Sequence, residues 1–266
     1  MRLSLESLSR RGLGIRFAVS SVCAFGLSGS ADLRAAVPPI TWGSATTVSG
    51  DSDVDTTGSL VYAYTFGGGS APPSATVNGV TFSPFTISGV VQSATVGSVT
   101  ITESPNFLLG SDSLGSSSAP FSGLSSNYKS LLGTGAYADN PTTITVALGG
   151  LTAGQQYRVQ WWSSNASNLP PSDGGSFTNT TATAVNSVTL DTNTTDLAGG
   201  LGQYAIGTFT AVGTIQSFML TETGDGMNPL INALQVRAVP EPSTYCMALA
   251  GLAGCGYSRW RRRTRA

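Results

Sequence analysis

Histidine is absent from the 266-residue chain, and its three cysteines, Cys23, Cys246 and Cys255, all lie near the ends. Without histidine there is no Ser-His-Asp or Cys-His catalysis, no imidazole metal ligand and no histidine pH switch. A middle without cysteine has neither a disulfide framework nor a thiolate zinc site, and a core of roughly 200 residues needs no such staple. Cations are scarce there as well. Between Val37 and Ala238 only Lys129, Arg158 and Arg237 are basic, against eleven carboxylates. Such a surface has no electrostatic footprint for a phosphate backbone, which excludes nucleic acid as a partner.

What the middle does contain is glycine, serine, threonine and short β-prone runs. The whole chain has 33 glycines and only 10% charged residues, a composition that suits a secreted β-rich protein. Residues 59–66 alternate apolar and polar. Residues 76–82 place Asn78-Gly79 between two β-prone runs, a strong hairpin signal. Further strands are expected at 98–102, 142–148, 155–163, 187–190, 204–209, 215–221 and 231–237. About nine short strands with glycine-rich turns predict an all-β fold, a jelly-roll-like β-sandwich. The one helical pattern is 124–132, with apolar residues at 124, 128, 131 and 132.

The ends read as addresses. Basic residues precede an apolar run from Phe17 to Leu27 and small residues at Ser28 to Ala31, the layout of a signal peptide over residues 1–36. Arg10-Arg11 fits an ordinary cationic start, and a twin-arginine export signal is the alternative. At the far end stand Val239, Pro240, Glu241, Pro242, Ser243 and Thr244, then an apolar stretch over 245–258, then Arg259, Arg261, Arg262 and Arg263. The prolines keep the first part extended and accessible. Pro242 to Ser258 reaches about 26 Å as a helix, barely a hydrocarbon core. The arginines fix its orientation, with the acidic middle outside.

This tail, residues 239–266, resembles the PEP-CTERM sorting signal. The resemblance implies recognition of residues 239–244 by an exosortase-type sorting protease, transient membrane anchoring through one transmembrane helix, and delivery to the cell surface or an exopolysaccharide-rich matrix. The second half of residues 37–238, with Gly149 to Tyr157, Gly202 to Ala211 and Asn232 to Arg237, resembles secreted proteins with carbohydrate-binding-module-like sandwiches. That likeness rests on packing and turn patterns and implies no particular ligand.

Three constellations could carry chemistry in the middle. Asp51, Asp53 and Asp55 alternate and are candidate calcium ligands, although an EF-hand would need glycine where Thr56 stands and glutamate where Tyr62 stands. In the strand Tyr157 to Trp162, Trp161 and Trp162 face opposite sides. One is then a core residue. The other, with Arg158 and Gln160, is a candidate glycan platform, since sugar faces stack on rings and polar tips bond hydroxyls; packing under a loop is the alternative. Glu103 and Glu222, the only glutamates between Val37 and Ala238, would be the carboxylates of a glycan-active enzyme, or strand ends facing water. The acceptor-like triplets at Asn165, Asn179 and Asn193 carry no assigned role. The expectation is a non-enzymatic surface or matrix protein with glycan contact and no cofactor unless calcium binds; a secreted glycan-active enzyme and a purely structural matrix protein are the alternatives.

Overall fold

The computed structural model describes residues 40–69, 72–138, 143–167, 179–223 and 228–240. The signal-peptide segment 1–36, the apolar stretch 245–258 and the arginine cluster lie outside them. Among the described residues no helix is long and apolar enough to cross a membrane.

The fold is all-β. The larger sheet has eight strands, in the order β1 (Thr41–Trp42), β14 (Gln203–Thr210), β11 (Gln156–Ser163), β17 (Ala233–Val239), β3 (Ser59–Gly67), β5 (Val80–Thr86) and β4 (Ala75–Val77), with β2 (Thr46–Thr47) also paired to β14. The smaller sheet has six, in the order β13 (Ser187–Leu190), β12 (Thr180–Thr183), β15 (Gln216–Glu222), β10 (Thr143–Leu148), β7 (Val99–Ser104) and β6 (Ser93–Val96). A third sheet joins β16 (Leu230–Ile231), β9 (Gly135–Ala138) and β8 (Leu108–Ser111). Pairing is antiparallel except between β3 and β5, which run parallel.

Alternation explains why these segments are strands. In β10, Ile144, Val146 and Leu148 are buried while the residues between them are partly exposed. Together with Phe218 and Leu220 of β15 they meet Trp161, Val159, Leu234 and Val236 of the larger sheet in one core. Trp42 sits at its centre, edge-on to Phe218 at 5.2 Å and to Trp161 at 6.4 Å between ring centroids. Each such aromatic, taken fully out of water, contributes about 2–3 kcal/mol. Gly207, opposite Trp42 in the ladder, makes room for it, because a Cβ there would fall inside contact distance of Ile40 and the Trp42 ring.

Local signals hold where their chemistry is specific. Asn78 and Gly79 take positive φ values of 49° and 75°, the conformation of a tight primed hairpin turn, and join β4 to β5. Among the described residues the one α-helix, α1, spans Ser126–Leu132. Its N-cap Ser125 accepts a hydrogen bond from the Tyr128 amide, and Leu124, Tyr128, Leu131 and Leu132 are all buried.

The α1 residues define a second core. They pack with Val48, Val54, Val77, Val80 and Phe82 against Ala63, Trp162 and Ala233, on the side of the larger sheet that faces away from the smaller one. The outer face of the larger sheet is therefore covered around Trp162. Trp162 and Trp161 do point to opposite sides, yet both are 0% exposed.

Candidate functional site

The two constellations expected to bind different ligands bind each other. Asp55 accepts from the Arg158 guanidinium at 2.6 Å. Gln160 donates to the Asp53 carbonyl at 2.7 Å and accepts from the Asp55 amide at 2.9 Å. Trp162 donates through its indole to the Tyr128 hydroxyl at 3.0 Å, and Tyr128 donates to the Asp53 carboxylate at 3.2 Å.

Each carboxylate of the acidic triplet has its own partners. Asp53 also accepts from the Ser49 amide and hydroxyl and from the Gly50 amide, at 2.6, 2.6 and 2.9 Å. Asp51 accepts from Ser125, the α1 N-cap, at 2.6 Å. The triplet does not converge as a calcium cage. Its outer members reach the start of α1 and strand β11, and its middle member is turned inward and buried. Among the described residues no group of three or more His, Cys, Asp or Glu side chains could hold a metal ion.

The glycan platform is corrected on the same grounds. Alternation places Arg158, Gln160 and Trp162 on one side of β11, but the segment 48–58 and α1 lie over that side. Trp162 packs edge-on to Phe82 at 5.7 Å, and Gln160 is 1% exposed. Two further residues complete this buried polar seam. Gln235 donates to Gln160 at 2.6 Å and to the Asp55 carbonyl at 3.0 Å. Arg237 donates to the carbonyls of Thr56, Thr57 and Gly58.

The electrostatics follow from this packing. Burial raises the Asp55 carboxyl, but the Thr57 hydrogen bonds and the Arg158 guanidinium outweigh it and hold its pKa below the ordinary value. Burial, then the neighbouring Asp53 charge, pushes the Tyr128 phenol far above its usual range, so it remains a donor between Trp162 and Asp53. The seam is thus a clasp that fastens segment 48–58 and α1 to the larger sheet.

The two glutamates differ: Glu222 is the last residue of β15 and partly exposed, as a strand end facing water would be, whereas Glu103, one residue from the end of β7, is buried. Glu103 pairs across the ladder with Ile144, which pairs with Leu220, so it lies on the interior side and is 2% exposed. One of its carboxylate oxygens accepts from the Asn106 amide at 3.0 Å, and the other has no hydrogen-bond partner. Glu222, two residues beyond Leu220, is on the same side and also has one enclosed oxygen without a partner.

The outward side of the smaller sheet went unread in the sequence. One row crosses all six strands: Ser93, Thr102, Thr145, Met219, Thr183 and Ser187. Beside it run Ser104, Thr143, Thr221, Thr181 and Thr189, and on the other flank Thr95, Thr100, Ala147 and Ser217. Every one of these positions but Ala147 and Met219 carries a hydroxyl, and none carries a charge. Cross-strand hydroxyl pairs stand at 3.1 Å for Ser93 and Thr102, 2.9 Å for Thr95 and Thr100, and 2.8 Å for Thr181 and Thr189. Around Met219, which is 46% exposed, a trough of about 370 Å³ is lined in part by Thr145, Thr183 and Ser217.

The chain leaves the sandwich from inside the larger sheet. Strand β17 lies between β11 and β3 and ends at Val239, whose carbonyl accepts from the Gln155 side chain; Pro240 is already exposed. Neither the curated proteins nor the solved structures contain a match to the chain. Residues 238–263 match the family described as the PEP-CTERM protein-sorting motif, which supports export through an exosortase-type sorting system and direction to the cell surface.

Proposed function

We propose that this chain is a non-catalytic protein of the cell surface or extracellular matrix, delivered by its tail and displaying a glycan-contacting sandwich. The observation that carries the reading is the sorting motif at 238–263, which begins in the last two residues of a central strand. On this reading residues 1–36 are a cleaved signal peptide. Residues 245–258 are a transient transmembrane helix held in orientation by Arg259, Arg261, Arg262 and Arg263. The sorting protease takes the Pro240 to Thr244 segment, whose first residue is exposed.

Two sheets sharing one core support a jelly-roll-like, carbohydrate-binding-module-like classification. The burial of Glu103 and the commitment of Asp53 and Asp55 to protein partners favour display over catalysis. Intact-mass measurement of protein recovered from exporting cells tests the reading. The expected C-terminus falls between Val239 and Thr244 and moves back to the full tail when Pro240, Glu241 and Pro242 are replaced by alanine. Surface protein that still carries Arg261 to Arg263 would overturn it.

A further inference from the structure

We infer that the hydroxyl-covered outer side of the smaller sheet is where the protein binds glycan, and that the glycan is an uncharged polysaccharide strand. The inference rests on the glycan-contact reading above and names its site and ligand class.

Charge is the first argument. The three rows present no ionised group across six strands, in a middle segment that is otherwise strongly acidic, so a polyanion finds no cation to meet and a polycation no anion. Composition is the second. Protein interfaces are built around aromatic residues, Met and Arg and are depleted in serine, whereas this side offers one methionine, no aromatic and no arginine. A neutral polysaccharide is what remains complementary, because it presents hydroxyls and C–H groups together, as threonine does.

Geometry is the third argument. Adjacent strands repeat about every 4.8 Å, so hydroxyls recur at regular intervals along each row. Each hydroxyl has one donor and two acceptor sites, and the cross-strand pairs use only part of that capacity while fixing the rotors. Sites held in place by their own ladder lose little freedom on binding. The trough beside Met219 supplies an apolar floor in the middle of the row, where the C–H face of a sugar ring can be taken out of water.

The test is affinity electrophoresis of the exported protein in native gels containing dextran, laminarin or xyloglucan, with alginate as the charged comparison. Retardation by at least one neutral polymer and none by alginate is expected. The double variant Thr102→Lys, Met219→Lys should lose at least tenfold in apparent affinity, while Thr76→Lys, on the exposed β4–β5 hairpin, should bind as the parent does. Matching thermal melts show that all variants are folded. Retardation undiminished in the double variant overturns this site and leaves the glycan reading standing; no retardation by any neutral polymer overturns both. Slowed migration that depends on protein concentration in polymer-free gels identifies a second copy as the occupant and likewise overturns the inference.

Discussion

The outer sides of the two sheets are opposite solutions to the same problem. A sheet that buries one side in a shared core must do something with the other. On the larger sheet that other side carries Trp162, Gln160, Gln235 and Arg237, and the fold spends segment 48–58 and a helix to cover it. On the smaller sheet it carries threonine and serine, at least partly exposed except for the buried Thr181. The lesson is that aromatic and ionisable residues on an outward strand position do not by themselves mark a binding surface. Here they mark the covered side, and the plain residues mark the open one.

That contrast can be broken at several depths. The largest effect is expected from Trp162→Ala, which empties a fully buried indole site and removes the donor to the Tyr128 hydroxyl. A loss of about 3–5 kcal/mol is expected in denaturant unfolding, and a loss under 1 kcal/mol would mean that the covering layer is not part of the cooperative fold. Asp53→Ala strips the clasp of the acceptor for Ser49, Gly50 and Tyr128 and should cost about 2–3 kcal/mol, read as a lower melting temperature. Added calcium should leave the parent's melting temperature unchanged.

Asp55→Asn should cost about 1–2 kcal/mol at neutral pH, and it has a pH signature. The folded carboxyl has a pKa below its unfolded value, so its contribution is complete above about pH 4 and is lost as pH falls through the folded pKa. The parent should therefore lose stability more steeply than the Asn variant below about pH 4. Equal acid slopes would show that the Asp55 carboxylate gains nothing from its Thr57 and Arg158 partners. The smallest effects belong to the open side, where Thr102→Ala and Ser217→Ala should stay within about 0.5 kcal/mol.

Sequence periodicity captured the long elements because a side-chain period of two is a physical requirement of a half-buried strand. Residues 187–190 coincide with β13, and 155–163 with β11 to within one residue. Strands such as Leu108–Ser111 and Gly135–Ala138 escaped, since LLGS and GAYA carry no alternation and are held by their neighbours. The parallel pairing of β3 with β5 is likewise a property of the assembled sheet. Alternation assigned Trp161 and Trp162 to opposite sides but could not show what lay over the second. The open side was legible in principle: Thr100, Thr102 and Ser104, or Thr143 and Thr145, are the residues left over when the apolar positions are struck out, and leftovers were not read as a surface.

The position of β17 has a mechanical meaning. Its last residues are hydrogen-bonded into β11 on one side and β3 on the other, and the sorting motif continues directly from them. If the sandwich is tethered through that end, tension drawn along the strand loads both flanking ladders in shear at once. It does not peel an edge strand open one bond at a time. A protein held this way should yield only when many backbone bonds fail together, and single-molecule pulling from the C-terminal side should meet a higher unfolding force than pulling from β13 at the rim of the smaller sheet.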